Sequence, residues 1–512
     1  MIVAFRFFYT NKNSFLAYFL DYYAKKSTLK YTINKNDDEI TLFIEGSEEE
    51  LLKFSDEYMN LVPNSVFLAK SSVEVVKETL KTNLQIPQTK FANITPAVIK
   101  NYISKAEILP NEYDIISEIS VLKDGEFIGI TSENFDELVE FCFLNLLHNQ
   151  TLNLKNKNGH FILKSGFDFK YCDFVMPTSL PALPKAFIAD EKSLIALASF
   201  EKPVINLKTS AIFRQNHKEA PLFFDVKAAS DFFTFALFDR LSKEELFFVS
   251  VKIEKSDFLP LKISVSENNF IVINHGEFIS QSEAKFLEEK EFSNFALFGL
   301  ICNEFSIIEQ KNVNIFFDRS LSDSIKVYDK NSAVELLKLP KFSSFEELKD
   351  EILSDEVGRT LFKNFQKEFG FPTGDIKSSS FYSLFDIVSQ ILFGKNAKYL
   401  LDNAKDFLGT KGPRLDFLLK DTNEFDLAKF VRSGMSYKLA GVSDKIISYG
   451  YVESLVYFIS DFLDDLKDDA NIDNVIFTGT LFEEKDILNL MEKIISKQLN
   501  AKFSNYLGLE AR

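Results

Sequence analysis

Residues 474–495 read Asn-Val-Ile-Phe-Thr-Gly-Thr-Leu-Phe-Glu-Glu-Lys-Asp-Ile-Leu-Asn-Leu-Met-Glu-Lys-Ile-Ile. An apolar run, one glycine and a helical stripe in that order restrict this end of the chain to an α/β layer. Val475, Ile476 and Phe477 are β-formers in an unbroken apolar stretch, the pattern of a buried strand. Gly479 breaks the run, and Ile487, Leu490, Met491, Ile494 and Ile495 then recur at helical spacing. A strand, a glycine turn and a helix N-terminus form an anion cradle when backbone N–H groups and the helix dipole point into the turn. An ordinary βα connection has the same pattern.

The rest of the chain sets bounds. At 512 residues it is too long for one core, and a prior of about 150 residues per domain gives three or four. A hydrophobic share of 46% with 26% charged residues is that of a globular protein rather than a disordered one. The formal net charge of −16 argues against a general nucleic-acid binder, which needs a basic footprint. Cys142, Cys172 and Cys302 lie far apart, as do His148, His160, His217 and His275, so neither set has the spacing of a metal site. The expectation is therefore no bound metal. No apolar run reaches the ~18 residues of a membrane span, and the N-terminus lacks the parts of a signal peptide. A cytoplasmic protein is expected.

Residues 1–78 have the βαββαβ order of the ferredoxin-like fold. Strands are expected over 2–9, 29–34, 39–45 and 66–76, with a helix over 14–24 and a second helix starting at Ser47. Glu50, three residues after Ser47, completes a capping-box pattern. This segment resembles the acylphosphatase domain that opens the HypF carbamoyltransferases. In that family a loop after the first strand ends in an arginine that holds the phosphoryl group, and an asparagine orients water. Asn34 matches the asparagine and is the one weak catalytic candidate, with a turn residue as the plainer reading. The loop here is Thr10-Asn11-Lys12-Asn13-Ser14, with Phe15 at or beside the arginine position.

A linker is expected over 79–96, where the family carries cysteine-rich zinc modules and this chain has none. Residues 97–255 hold an amphipathic helix over 133–148 and strands over 161–163 and 203–207. The run from Ser199 to Leu207 resembles a stretch of the family's YrdC-like domain, which adenylates carbamate. The adenylating loop of that domain would fall near Phe248 to Lys252, where its residues are absent.

Residues 256–512 resemble the family's Kae-like domain, of the actin-like ATPase fold. Ile315-Phe316-Phe317-Asp318-Arg319-Ser320 resembles the strand and phosphate turn written Phe-Asp-Gly-Thr-Gly in relatives; Asp318 is kept and the glycines are not. Ser383-Leu384-Phe385-Asp386-Ile387-Val388 resembles the Arg-Leu-Phe-Asp-Ala-Val helix, which makes Asp386 a candidate for ribose or substrate contact; a helix-surface aspartate is the equal alternative. The stretch at 474–495 resembles the loop that grips nucleotide, so Thr478, Gly479 and Thr480 join Asp318 and Asp386 as nucleotide-binding candidates. Glu484 stands where relatives have an asparagine. Ser282 stands where the family's opening hairpin ends in a histidine; at the metal-binding His-x-His stand Phe295 and Leu297, and the last ligand, an aspartate, falls near Lys502, so none of these metal positions holds a family ligand.

The resemblance implies a multidomain α+β and α/β protein: a ferredoxin-like acylphosphatase-type domain, a YrdC-like middle and an actin-like ATPase end. It implies a shortened, diverged member of the HypF group and a setting in nickel–iron hydrogenase maturation. Eroded sites at matched positions favour a non-catalytic accessory factor that contacts a hydrogenase subunit or other maturation proteins. No cofactor is expected, although ATP remains possible. The alternative is an active carbamoyltransferase using ATP and carbamoyl phosphate.

Overall fold

The computed structural model describes residues 1–36, 38–86, 93–104, 119–156, 159–256, 260–265, 270–278, 285, 294–329, 332–470, 472–495 and 501–503. The chain divides into two compact units, residues 1–265 with 275–281, and residues 266–274 with 282–512.

The first unit opens with strand β1 (Ile2–Tyr9), helix α1 (Phe15–Ser27), β2 (Lys30–Asn36), β3 (Glu39–Glu45), α2 (Glu48–Glu57) and β4 (Leu68–Val76). They form a sheet in the order β2-β3-β1-β4, antiparallel throughout, the ferredoxin-like arrangement. Alternation decides the face: Val3, Phe5, Phe7 and Tyr9 are buried while Phe8 is exposed. Ser47 caps α2 in the box the sequence implies, donating to and accepting from Glu50. β2 runs two residues beyond the expected end. Asn83 bonds the N–H and C=O of Lys35, and Asn36 pairs with Glu39, so the turn tightens and Asn34 is a strand residue rather than a turn residue.

Helices α3 (Pro96–Ile103), α4 (Phe135–Leu147), α5 (Glu191–Ala198), α6 (Ala211–Asn216) and α7 (Phe232–Lys243) follow. They accompany a larger mixed sheet built from β5 (Ser120–Lys123), β6 (Glu126–Gly129), β7 (Leu152–Asn156), β8 (Gly159–Ser165), β9 (Phe174–Pro177), β10 (Phe187–Ile188), β11 (Val204–Thr209), β12 (Phe223–Val226), β13 (Phe248–Ser256) and β14 (Lys262–Val265). The order is β14-β11-β12-β9-β13-β8-β7-β5-β6, with β10 beside β11. α4, β8 and β11 fall where periodicity places them. Phe233, Leu237, Phe238 and Leu241 of α7 are buried, a stripe at three- and four-residue spacing.

The second unit contains β15 (Phe270–Asn274), α8 (Asn294–Glu304), β16 (Asn312–Phe316), β17 (Ser324–Asp329) and β18 (Ser332–Glu335). A helical layer follows: α9 (Phe345–Ile352), α10 (Glu356–Phe369), α11 (Phe381–Phe393), α12 (Ala397–Lys405), α13 (Leu427–Leu439) and α14 (Asp444–Ala470). The last elements are β19 (Asn474–Thr478), α15 (Lys485–Ile494) and β20 (Ala501–Phe503). The sheet order is β18-β17-β16-β19-β20, with β16, β19 and β20 parallel. Every residue of β16 and β19 is buried, the mark of strands covered on both faces. Buried asparagines then need partners: Asn474 donates to Asn312 at 2.9 Å and Thr478 to Asn314 at 2.9 Å.

Gly479 ends β19, as the sequence implies, but α15 does not start there. A single 3-10 turn, Thr480–Glu483, intervenes. Its N–H groups serve internal bonds: Leu481 donates to Phe317 O and Phe482 to Gly479 O. The helix N-terminus therefore lies beyond the glycine turn.

Candidate functional site

β16 and β19 run side by side in register, Phe316 opposite Thr478, so the loops after them meet at the carboxyl ends of two parallel strands. Open α/β sheets place ligands outside such ends. Four of the sequence candidates converge here: Asp318, Thr478, Gly479 and Thr480.

Asp318 is the centre. One carboxylate oxygen accepts from the Ser320 N–H (2.8 Å), the Ser320 hydroxyl (2.9 Å) and the Leu321 N–H (3.0 Å). The other accepts from the Thr480 N–H (3.1 Å) and hydroxyl (2.8 Å). Burial alone would raise this carboxyl, but the donors of Ser320, Leu321 and Thr480 hold it below the ordinary carboxylate range. The Asp318 N–H donates to Asp323 (2.7 Å), whose other oxygen takes the N–H of Phe381 at the start of α11 (2.6 Å). Burial pushes Asp323 well up. Gly479 sits at φ 104°, and a Cβ there would lie 2.1 Å from Phe317 O. The glycine thus permits chain against chain, with Phe317 N–H bonded to Thr478 O at 2.9 Å.

The mouth of the site carries charges of both signs. Arg319 reaches across to the other loop, pairing with Glu483 at 2.7 Å and Glu484 at 2.5 Å, and Lys405 of α12 holds the second Glu484 oxygen at 2.5 Å. Burial would raise Glu484, yet Lys405 and Arg319 hold it low. Three carboxylates, those of Glu483, Glu484 and, at 3.8 Å from Lys405, Asp402, thus face two cations.

Asp386 lies on α11 and bonds the Ala397 N–H (2.7 Å) and the Gln390 amide (2.6 Å), which ties α11 to the first turn of α12. Tyr382, one turn earlier, is raised by burial, with Arg319 opposing and the charges of Glu484, Asp386 and Asp402 adding. Asp386 therefore borders the cluster electrostatically while its oxygens serve the helix junction. Asp386→Ala is expected to lower stability by about 1–2 kcal/mol through the orphaned Ala397 N–H. A thermal midpoint equal to the parent's would contradict that role.

Asn34 lies in the other unit, its amide on Lys81 O at 3.0 Å. The loop between β1 and α1 holds no arginine. Asn11 and Asn13 both donate to Phe278 O, and Phe15 packs edge-on against Phe278 with ring centroids 6.0 Å apart. In the larger sheet's region, a cavity of about 70 Å³ is lined by Lys227, Asp231, Thr234 and Glu277 among apolar residues. Burial lowers Lys227 against the pull of Glu277 and Asp231, and its ammonium donates to Lys202 O. Lys202, brought down to about 8 by burial, donates to the carbonyls of Ala198 and Ser199.

Phe295 and Leu297 fall within α8, and Lys502 stands in β20 opposite Ile476. Ser282 lies outside the described residues. Among the described residues no group of three His, Cys, Asp or Glu could hold a metal ion, and no helix is long and apolar enough to cross a membrane. Burial lifts the thiols of Cys142 and Cys302 to about 12, which keeps them protonated. Sequence reasoning missed the pairing of Arg319 with Glu483 and Glu484. The available signal was an arginine in one phosphate-type loop and adjacent glutamates in the other.

No protein-family model matches the chain. It is 26% identical to Protein HydE of Wolinella succinogenes over 534 residues, covering 94% of each protein. Two solved structures match in fold. One is full-length HypF in its phosphate- and nucleotide-bound form, with a TM-score of 0.58 and 12% identity over 98% of this chain and 95% of that one. The other is T. kodakarensis HypF, with a TM-score of 0.63 and 10% identity over 98% of this chain and 96% of that one. The architecture is that of HypF, with acylphosphatase-like, YrdC-like and Kae-like parts.

Proposed function

We propose that the protein is an accessory factor of nickel–iron hydrogenase maturation that keeps the HypF fold without its catalysis and acts through protein contacts. One observation carries this reading: Arg319 is bound across the two loops by Glu483 and Glu484. A nucleotide phosphate entering there would displace that pair and meet the largely buried carboxylates of Glu483 and Glu484, where like charges repel more than in open water. The donors that would cradle it are already committed, since Asp318 holds the N–H groups of Ser320, Leu321 and Thr480. The acylphosphatase-type loop supports the same view, because losing one positioned donor to a transition-state anion typically costs ~10²–10³ in rate.

The expected outcome is no saturable binding of magnesium–ATP by calorimetry, and no acyl-phosphate or carbamoyl-phosphate turnover above background. Stoichiometric nucleotide binding would revive the carbamoyltransferase reading. For the biological role, deletion of the gene beside an intact full-length carbamoyltransferase should lower hydrogenase activity, and a folded Asp386→Ala copy should restore it. Unchanged activity in the deletion strain would remove the maturation role.

A further inference from the structure

The four-stranded sheet treats its two edges differently. Along β2 the edge is covered by the chain itself: Thr82 takes the Ile33 N–H, Asn83 bonds both polar groups of Lys35, and Lys81 O accepts from Asn34. Along β4 every residue from 69 to 75 is exposed. Val73 and Val75 are 63% and 67% exposed, although they lie on the same face as buried Phe5 and Val3 of β1. A nine-residue edge that pairs with no further strand among the described residues, and carries exposed valines, is a template for another strand.

Its sequence selects the partner. In an antiparallel pair of identical strands related by a two-fold axis, opposite residues share a face and their numbers have a constant sum. Full overlap of Leu68–Val76 with its copy centres the pair on Ser72. That register places Lys70 opposite Glu74 of the partner, twice, with Ala69 opposite Val75 and Ser71 opposite Val73. Moving the centre to position 73 sets Lys70 against Val76, and moving it to position 74 sets Glu74 against itself. Greatest overlap and charge pairing therefore coincide. Lys70 has no ion-pair partner among the described residues, and Glu74 holds Arg6 at 2.6 Å, with Arg6 also on Glu39 at 2.6 Å. Pairing would extend this run of alternating charge across the axis. An edge lysine normally discourages pairing by leaving a charge against the newcomer; in this register it meets a carboxylate instead.

We infer that β4 is a self-association edge, and that two copies of this chain join through antiparallel β4–β4 pairing centred on Ser72. The buried area of one strand pair is small, so the dimer is concentration-dependent. Opposite-charge cross-strand pairs contribute roughly 0.2–1 kcal/mol each and like charges oppose, so reversing both symmetry-related pairs lowers association on the order of tenfold.

The test is sedimentation velocity on the full chain over a concentration series. Lys70→Glu and Glu74→Lys each place two like-charge pairs in their own dimer, and both should shift toward monomer. Mixed in equal amounts, the two variants form a dimer with two opposite-charge pairs, and association should return. In a Cys172→Ser background, Ser72→Cys should oxidise to a covalent dimer, while Ser71→Cys, which faces Val73 of the partner, should not. A parent chain that stays monomeric throughout overturns the inference. So does a dimer unmoved by either charge reversal, or a mixture that associates no better than its components.

Discussion

Replacing Gly479 with alanine is expected to destabilise the second unit by about 3–4 kcal/mol, two strains acting at one position. The first is conformational. At φ 104° and ψ 159° the backbone lies where only glycine is comfortable, and other residues there cost roughly 1–3 kcal/mol. The second is steric. The new Cβ would lie 2.1 Å from Phe317 O and 2.6 Å from its carbonyl carbon, both backbone atoms at the end of β16. They cannot swing away as a side chain would, so the strand ends must part. The bonds Phe317 N–H to Thr478 O and Leu481 N–H to Phe317 O would then stretch together. In a unit of this size 1 kcal/mol moves a melting point by about 2–4 °C, so a drop on the order of 10 °C is expected by scanning calorimetry. Gly374, at φ 107° with open space around it, isolates the conformational part. Gly374→Ala should cost distinctly less. Equal losses at the two positions, or none at Gly479, would show that the close approach of the loops is not what requires the glycine.

The same glycine shows what a sequence can and cannot disclose. A glycine after Val475-Ile476-Phe477 announces a sharp break after a buried strand, because apolar continuity and the missing Cβ are local properties. Why the break is needed depends on Phe317, which lies 162 positions earlier in the chain as 479 minus 317. Elements were legible for the same reason. α4, β8, β11 and the capping box at Ser47 follow from period, propensity and short-range bonding, the ferredoxin-like order followed from the succession of elements over residues 1–78, and β16 was placed by the resemblance of residues 315–320. The delayed start of α15 was not legible. The 3-10 turn that displaces it is held by Phe317 O and Asp318, partners from another loop. The extra residues of β2 depend likewise on Asn83 folding back over the edge. At the site, Asp318, Thr478, Gly479 and Thr480 were found together because each flanks a strand end that the resemblance aligned. Arg319, Glu484 and Lys405 were not recognised as a group. Their relation is one of charge across three separate elements, and spacing along the chain does not express it.

Arg319→Ala is expected to cost about 3 kcal/mol at neutral pH, the lower end of the range for removing one partner from a buried ion pair. The lower end applies because Arg319 keeps a third of its side chain in water, while Glu483 and Glu484 are 13% and 10% exposed. Lys405 stays on Glu484, so the glutamate left with the poorer compensation is Glu483. The pH dependence separates this mechanism from simple loss of packing. Burial would raise Glu484, but Lys405 and Arg319 hold its folded-state value below that of the unfolded chain, near 4.3. A depressed folded-state carboxyl contributes stability above its unfolded value and loses that contribution as pH falls through the folded one. Asp318 has the same sign. The parent should therefore weaken as pH drops below the ordinary carboxylate range. In the variant part of the depression at Glu484 is gone, so the variant loses less on acidification and the gap between the two proteins narrows. Arg319→Lys keeps the positive charge without the planar fork that spans two glutamates, and should fall between parent and alanine variant. Thermal midpoints of the three proteins at pH 7 and near pH 3, below the ordinary carboxylate range, decide the matter. A deficit of the same size at both values would assign Arg319 to packing alone, and no deficit at pH 7 would show that the pairs across the two loops do not hold them together.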